Sequence, residues 1–415
     1  MALPVRLRHL IRSVTDAQDR HRERHRPTGF RFAIADSVDM LNPEHWDRVV
    51  AGGSIFASRA YHQVMARSGP VGAVLRHALI YRGDAPVAAV TAQILDVTGD
   101  RVVRPGEGDL PEPARRARDL ALGRLQQRVL ICGNVMSWGL HGVHFAAGES
   151  PAELWPAVAE ALYRVRRAER LSGQADYIVV KDMSDEHMEG CAPLARFSYR
   201  PMATGPDMVL DLPPAWRRYD DYLASLNQKY RKAARKLARD VEAAGLRVEA
   251  LTDLEGHRRA LHALYHEVER RAPVRLASMP EGYLPDLAAC LGPERFRCTV
   301  IRRGDALVGF VTTLRDGDTA IGYYLGLDYA VNEEAPIYHR LLQAVVADAI
   351  DLGARRLSLG RTAVEPKARL GARPAPMHAW LRHRLPALNL VIRQLLHVVP
   401  QPEIPDRSPF KAEQG

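Results

Sequence analysis

The sequence predicts an α/β protein, an α+β mixed sheet arranged as two similar halves joined by a basic helix, and three observations support this. A ten-residue stretch, RGDAPVAAVT from Arg82 to Thr91, returns as RGDALVGFVT from Arg303 to Thr312. Each copy is followed in the same order by an amphipathic helix and a buried strand, the mark of a duplicated α/β unit. Between the copies lies a cationic segment with helical spacing, LASLNQKYRKAARKLARDVEAAGLRVEAL. At 415 residues and 47% hydrophobic, the chain is long enough for two domains at roughly 100–200 residues each.

Taken in order, residues 1–28 read as a basic tail. The first half is expected over 29–210. Its hairpin carries HALIY into the first echo and turns at Gly-Asp, where glycine accepts positive φ. A Gly-, Pro- and charge-rich insertion is expected at about 96–128. SPAELWPAVAEALYRVRRAE (150–169) then predicts a helix opened by Ser150 and Pro151, and ADYIVVKDM (175–183) the strand after it. The second half is expected over 211–395 and begins with the basic helix at 225–244. Ser225 and Gln228 have capping-box spacing, and Gly245 suits the position past the helix end. CTVI leads into the second hairpin. TAIGYYLGLDYAVNEEAP supplies a strand, Ile337, Leu341, Val345 and Ala349 mark a helix face, and RRLSLG supplies the last buried strand. Residues 396–415 read as a tail.

The net charge of +9 and pI near 9.5 favour phosphate-bearing partners. Cys132, Cys191, Cys290 and Cys298 have no C-x-x-C spacing, so neither a zinc site nor a disulfide framework is expected. His21 and His25 in HRERH stand one helical turn apart without forming H-E-x-x-H, and no metal site is assigned. Arginines occupy the place of a signal peptide's apolar core, and no run reaches the ~18–20 apolar residues of a membrane span, so a cytoplasmic chain without stable membrane insertion is expected. PALNLVIRQLLHVVP (386–400) reads as a docked helix in preference to an interfacial one.

In the basic helix, Lys229, Arg231, Lys232, Arg235, Lys236 and Arg239 outnumber the acids, Asp240 and Glu242. Like charges one turn apart destabilise a helix by a few tenths of a kcal/mol each, which an anionic ligand would relieve. Together with the duplication and GRTAVEPKARLGA, this helix resembles tandem GNAT-fold acyltransferases, in the branch of Fem-type peptidoglycan aminoacyltransferases and BioF2-like predicted N-acyltransferases. The branch's K-x-R-x-x-x-R-K pattern is met by Lys229, Arg231, Arg235 and Lys236. Its glycine, loop, lysine, glycine order is met by Gly360, Lys367 and Gly371. Fem-type chains carry an aromatic before that lysine where this one has Pro366, a departure that argues against a Fem-like cell-wall substrate.

The resemblance implies two tandem GNAT-like domains with the acyl donor between splayed central strands, facing the residues after the last of them. It implies catalytic roles for Lys367, Tyr324 and Glu365, and donor contacts from Gly360, Arg361, Thr362, Gly371, Lys229, Arg231, Lys232, Arg235 and Lys236. Pro366 is expected to start a short helix with Lys367 in its first turn, at the positive end of the dipole. Tyr323 and Tyr324 should alternate across their strand, with Tyr324 toward the donor. Glu365, His339 and Asp328 are the general-base candidates. GLDYAVNEEAP and FAAGESPAELW lack the Q/R-x-x-G-x-G/A pyrophosphate loop of acetyl-CoA enzymes, and Glu333 and Glu334 stand where phosphates would dock.

The expected function is therefore transfer of an acyl or aminoacyl group to an amine-like nucleophile by direct attack. No cofactor is expected to be tightly bound; the donor is aminoacyl-tRNA in preference to acyl-CoA, the acceptor a small molecule or precursor, and DNA is not an expected partner. An acyl-CoA-dependent enzyme and a noncatalytic tRNA-binding module are the alternatives.

Overall fold

Both Gly-Asp pairs turn hairpins, with Gly83 at φ +61° and Gly304 at φ +58°. The computed structural model describes residues 26–98, 112–113, 126–272, 276–385, 388–389 and 407–411. The expectations for residues 1–25 with His21 and His25, for most of the insertion, for most of the 386–400 segment and for most of the last tail lie outside those residues.

The first half contributes β1 (Arg31–Ala35), α1 (Pro43–Val50), α2 (Arg59–Ser68), β2 (Val74–Arg82), β3 (Ala85–Thr98), β4 (Gln126–Cys132), β5 (Val143–Phe145), α3 (Pro151–Ala168), β6 (Tyr177–Ser184), α4 (Asp185–Cys191) and β7 (Arg200–Asp211). α5 (Tyr219–Ser225) and α6 (Gln228–Ala243) follow. The second half contributes β8 (Leu246–Ala250), α7 (Arg258–Glu269), α8 (Tyr283–Leu291), β9 (Phe296–Arg303), β10 (Ala306–Asp316), β11 (Thr319–Leu327), α9 (Tyr329–Glu334), α10 (Ile337–Asp351), β12 (Arg356–Ser358), α11 (Val364–Arg369) and β13 (Arg373–His383). The residues flanking the insertion, 96–98 and 126–128, are paired strand ends, so the excursion is shorter at both sides than its composition indicates.

All strands join one mixed sheet in the order β1-β2-β3-β4-β6-β13-β7-β12-β11-β10-β9-β8, with β5 beside β3. The order is symmetric about the β13/β7 pair. Each half ends its own run on a parallel pair, β4 with β6 and β11 with β12, and then receives the other half's final strand. Thus β13 pairs with β6, and β7 with β12. α3 packs the first half's core around Leu130, Trp155, Leu162 and Val180. α10 and α6 cover the second half's core around Val241, Leu341, Val345 and Leu357. A third cluster mixes both halves, with Phe56, Tyr61 and Met136 against Tyr265, Tyr283 and Tyr323.

The basic helix starts later than its composition predicts. Ser225 ends α5, and Asn227 is the cap of α6, its side chain accepting from Tyr230 N at 3.2 Å. A short polar side chain in extended backbone is the better acceptor here. Among the described residues no helix is long and apolar enough to cross a membrane.

Candidate active site at the seam of the two halves

β11 and β12 stay paired for three residues only, Thr319 to Ile321 against Arg356 to Ser358, and then part. β4 and β6 part likewise after Cys132 and Val180. Just past each fork the chain turns through left-handed backbone, at Gly360 (φ +76°) and at the corresponding Asp182 (φ +65°). Glycine takes this conformation freely, whereas aspartate does so at a cost and is among the few other residues that tolerate it.

The two turns are joined through charge. Arg361 forms an ion pair with Asp182, a residue only 1% exposed, and Lys181 Nζ pairs with the same carboxylate at 2.5 Å. The Lys181 ammonium also donates to Asn134 O at 2.7 Å and Ser137 O at 2.6 Å. Burial, with Arg361 nearby, holds its pKa well below the usual lysine range.

Beside this triad lies a second buried group. Asp207 on β7 accepts from Ser358 Oγ at 2.6 Å and from Gly360 N at 2.8 Å, while burial pushes its pKa up. Lys367 Nζ donates to Gly360 O at 3.1 Å. Burial lowers Lys367 to about 8, and the charge of Asp207 limits that fall. A buried amine near neutrality can hold positive charge for a developing oxyanion or exchange its proton.

The first half closes the fork of the second. Its loop 133–142 carries Trp138, whose Nε1 donates to Ser358 Oγ at 2.6 Å and whose ring lies 3.2 Å from where a Cβ on Gly360 would stand. From the same loop Asn134 Nδ2 donates to Tyr61 OH at 2.6 Å. Further hydroxyl contacts run from Tyr61 to Tyr283 at 2.9 Å and from Tyr283 to Tyr323 at 2.6 Å. Burial raises Tyr61 to about 12 and pushes Tyr283 and Tyr323 well above the usual tyrosine value, so all three stay neutral donors.

Several expected positions need correction. Tyr323 and Tyr324 do not alternate: their rings meet at 4.6 Å between centroids, and both join the aromatic cluster. A register shift between Val311 and Thr313 leaves Thr312 facing two β11 residues, which breaks the period of two. Tyr324 OH donates to Met136 O at 3.2 Å. α11 begins at Val364, two residues before Pro366, so Lys367 lies beyond the first turn and the dipole argument lapses. Glu365 is turned to the surface, bonded to Arg369 at 2.9 Å and Arg407 at 2.7 Å, both holding its pKa down. Thr362 is exposed, and a Cβ on Gly371 (φ +98°) would collide with the Phe410 ring, which gives that glycine a packing reason. Asp328 caps α9, accepting from Ala330 N at 2.9 Å. His339 has its pKa lowered, first by burial and then by Arg369.

The structure therefore brings Gly360, Arg361 and Lys367 together, sets Tyr324 in the adjoining aromatic cluster, and leaves Glu365, Thr362 and Gly371 outside. On α6, Lys229, Lys232, Arg235 and Lys236 are exposed and Arg231 is half-buried, with Lys236 paired to Asp240 at 2.6 Å. Sequence reasoning missed Asp207, Ser358, Trp138, Lys181 and Asp182. The charged Lys-Asp pair ending the buried run YIVV carried a readable signal for the last two.

Residues 225–384, less than half of the chain, match the model for the acetyltransferase (GNAT) domain. The second half carries a GNAT domain. FemX superposes with a TM-score of 0.52 at 11% identity, covering 86% of this chain and 98% of FemX, a likeness of fold that spans both halves. A tandem GNAT protein from the clavulanic acid biosynthesis pathway gives 0.49 at 12%, covering 86% of this chain and 99% of its own. L-PGS from Bacillus licheniformis gives 0.44 at 11%, with 82% and 96% covered. No curated protein matches. Within the GNAT domain, the fork, Gly360 and Lys367 all fall inside the matched residues.

Proposed function

We propose that the chain is an N-acyltransferase that moves an acyl or aminoacyl group to the amine of a small molecule or precursor, with aminoacyl-tRNA as the favoured donor. The observation that carries this reading is the β11/β12 fork with the buried Lys367 amine, pKa about 8, bonded at its mouth to Gly360. In the reaction the acceptor nitrogen attacks the donor carbonyl carbon and a C–N bond forms. The bond from carbon to the departing oxygen or sulfur then breaks, and the leaving group takes the electron pair. Lys367 stabilises charge on the carbonyl or departing atom, and water accepts the proton lost by the amine. The exposed cations of α6 support a polyanionic donor. Acyl-CoA is the second reading, favoured by the acetyltransferase description of the matching domain.

Mass spectrometry of products from candidate amines, offered with charged tRNA or with a panel of acyl-CoA thioesters, tests this. An amide formed only with charged tRNA supports the first reading, and one formed only with a thioester the second. Salt-sensitive tRNA binding without product from either donor would make the chain a noncatalytic tRNA-binding module.

A further inference from the structure

A cavity of about 980 Å³ opens in the first half between the last turns of α3, residues 26–28 and the end of β13. It stands apart from the fork: Arg382 pairs with Ile178 at the start of β6, whereas Asp182 lies near the other end of that strand. Five arginines line it, Arg26, Arg164, Arg167, Arg170 and Arg382, against one carboxylate, Glu160. That carboxylate is already saturated, accepting from Thr28 N at 2.8 Å, Thr28 Oγ1 at 2.6 Å and Arg164 Nη2 at 2.7 Å. Among the described residues no acid pairs with Arg26, Arg167, Arg170 or Arg382. Arg382 Nε is buried without a hydrogen-bond partner. Neighbouring Arg166 has its pKa lowered by burial first and by Arg382 second, which marks an uncompensated positive field. The remaining wall is apolar and aromatic, from Tyr163, Leu171 and Phe197, with Leu171 fully exposed at 100%.

Concave cationic surfaces concentrate anions, and guanidinium groups grip phosphate oxygens in pairs. The volume suits a small ligand, whose sites run roughly 300–1,000 Å³. We propose that this cavity binds an organic polyphosphate of nucleotide size, its phosphates held by Arg167, Arg170 and Arg382 and its planar body set against Tyr163, Leu171 and Phe197. One phosphate would leave most of the four unpaired cations unmatched, and a chain of phosphates meets them together.

Isothermal titration calorimetry on the full chain tests it, with ATP and inorganic tripolyphosphate as probes at low salt. ATP is expected to bind one to one, and tripolyphosphate more weakly for want of a planar body. Arg167→Gln and Arg170→Gln, both at exposed positions where folding is undisturbed, should each weaken ATP at least tenfold. Arg259→Gln, an exposed arginine on α7, should leave it unchanged. The proposal is overturned if ATP does not bind, if both cavity variants bind within twofold of wild type, or if Arg259→Gln loses as much. It is overturned equally if an RNA oligomer binds through Arg167 and Arg170 while ATP does not.

Discussion

Trp138 Nε1 donates to Ser358 Oγ at 2.6 Å, and the same hydroxyl donates to Asp207 Oδ2 at 2.6 Å. One serine thus ties a first-half loop to β12 and β7. Trp138→Phe keeps an aromatic ring and removes the donor, and should cost about 1–2 kcal/mol in denaturant unfolding. Trp138→Ala also uncovers Gly360, at about 3–5 kcal/mol. Stability unchanged in Trp138→Phe would mean that the loop is not held by this bond.

Lys367→Met retains the stem and removes the charge. In steady-state kinetics kcat is expected to drop on the order of 10²–10³-fold with little change in KM, the loss of one preorganised donor. A variant within threefold of wild-type kcat removes Lys367 from the chemistry.

The same substitution has a pH signature. Folding lowers Lys367 from 10.5 to about 8. Between those values the unfolded chain keeps a proton that the folded chain has lost, so stability contributed by this residue rises with pH across that window. Unfolding free energies of wild type measured at pH 8 and pH 10 should therefore diverge more than those of Lys367→Met, by about 2 kcal/mol. Parallel curves would show that the amine is not desolvated.

Asp182→Asn keeps a side chain tolerant of left-handed backbone and strips the negative charge from between Lys181 and Arg361. Half-buried Lys181 and Arg361 are then left without their carboxylate, and a loss of about 1–3 kcal/mol is expected by calorimetry. Adding Lys181→Met should recover part of that loss. If the double variant is no more stable than the single, the pair is not coupled.

For the basic helix, replacing Lys232, Arg235 and Lys236 together by Gln should flatten the salt dependence of tRNA binding, by about one unit of log–log slope for each phosphate no longer neutralised. An unchanged slope assigns α6 to solvent.

Much of this fold is legible in the sequence because its signals are local. The echoed hairpins, the Ser150-Pro151 helix start and the step-of-four face of α10 each depend on neighbours a few residues apart. The exchange of β7 and β13 is not legible, since both strands satisfy the same alternation beside either half. Lys367 and Gly360 could be picked from their spacing past a buried strand. Asp207 and Trp138 could not, because they reach the site from segments about 150 and 220 residues before Ser358 and carry no motif of their own. The expected alternation of Tyr323 and Tyr324 fails at a bulge that no residue type announces.

The exchanged strands also set a timetable for synthesis. β6 is complete at Ser184, yet the neighbour that covers its free edge, β13, begins only at Arg373. At roughly 5–20 residues per second, that edge waits on the order of 10–40 s on the ribosome with its backbone N–H and C=O groups open to any passing strand. The nascent first half therefore carries an unpaired strand edge until the last strand of the other half emerges.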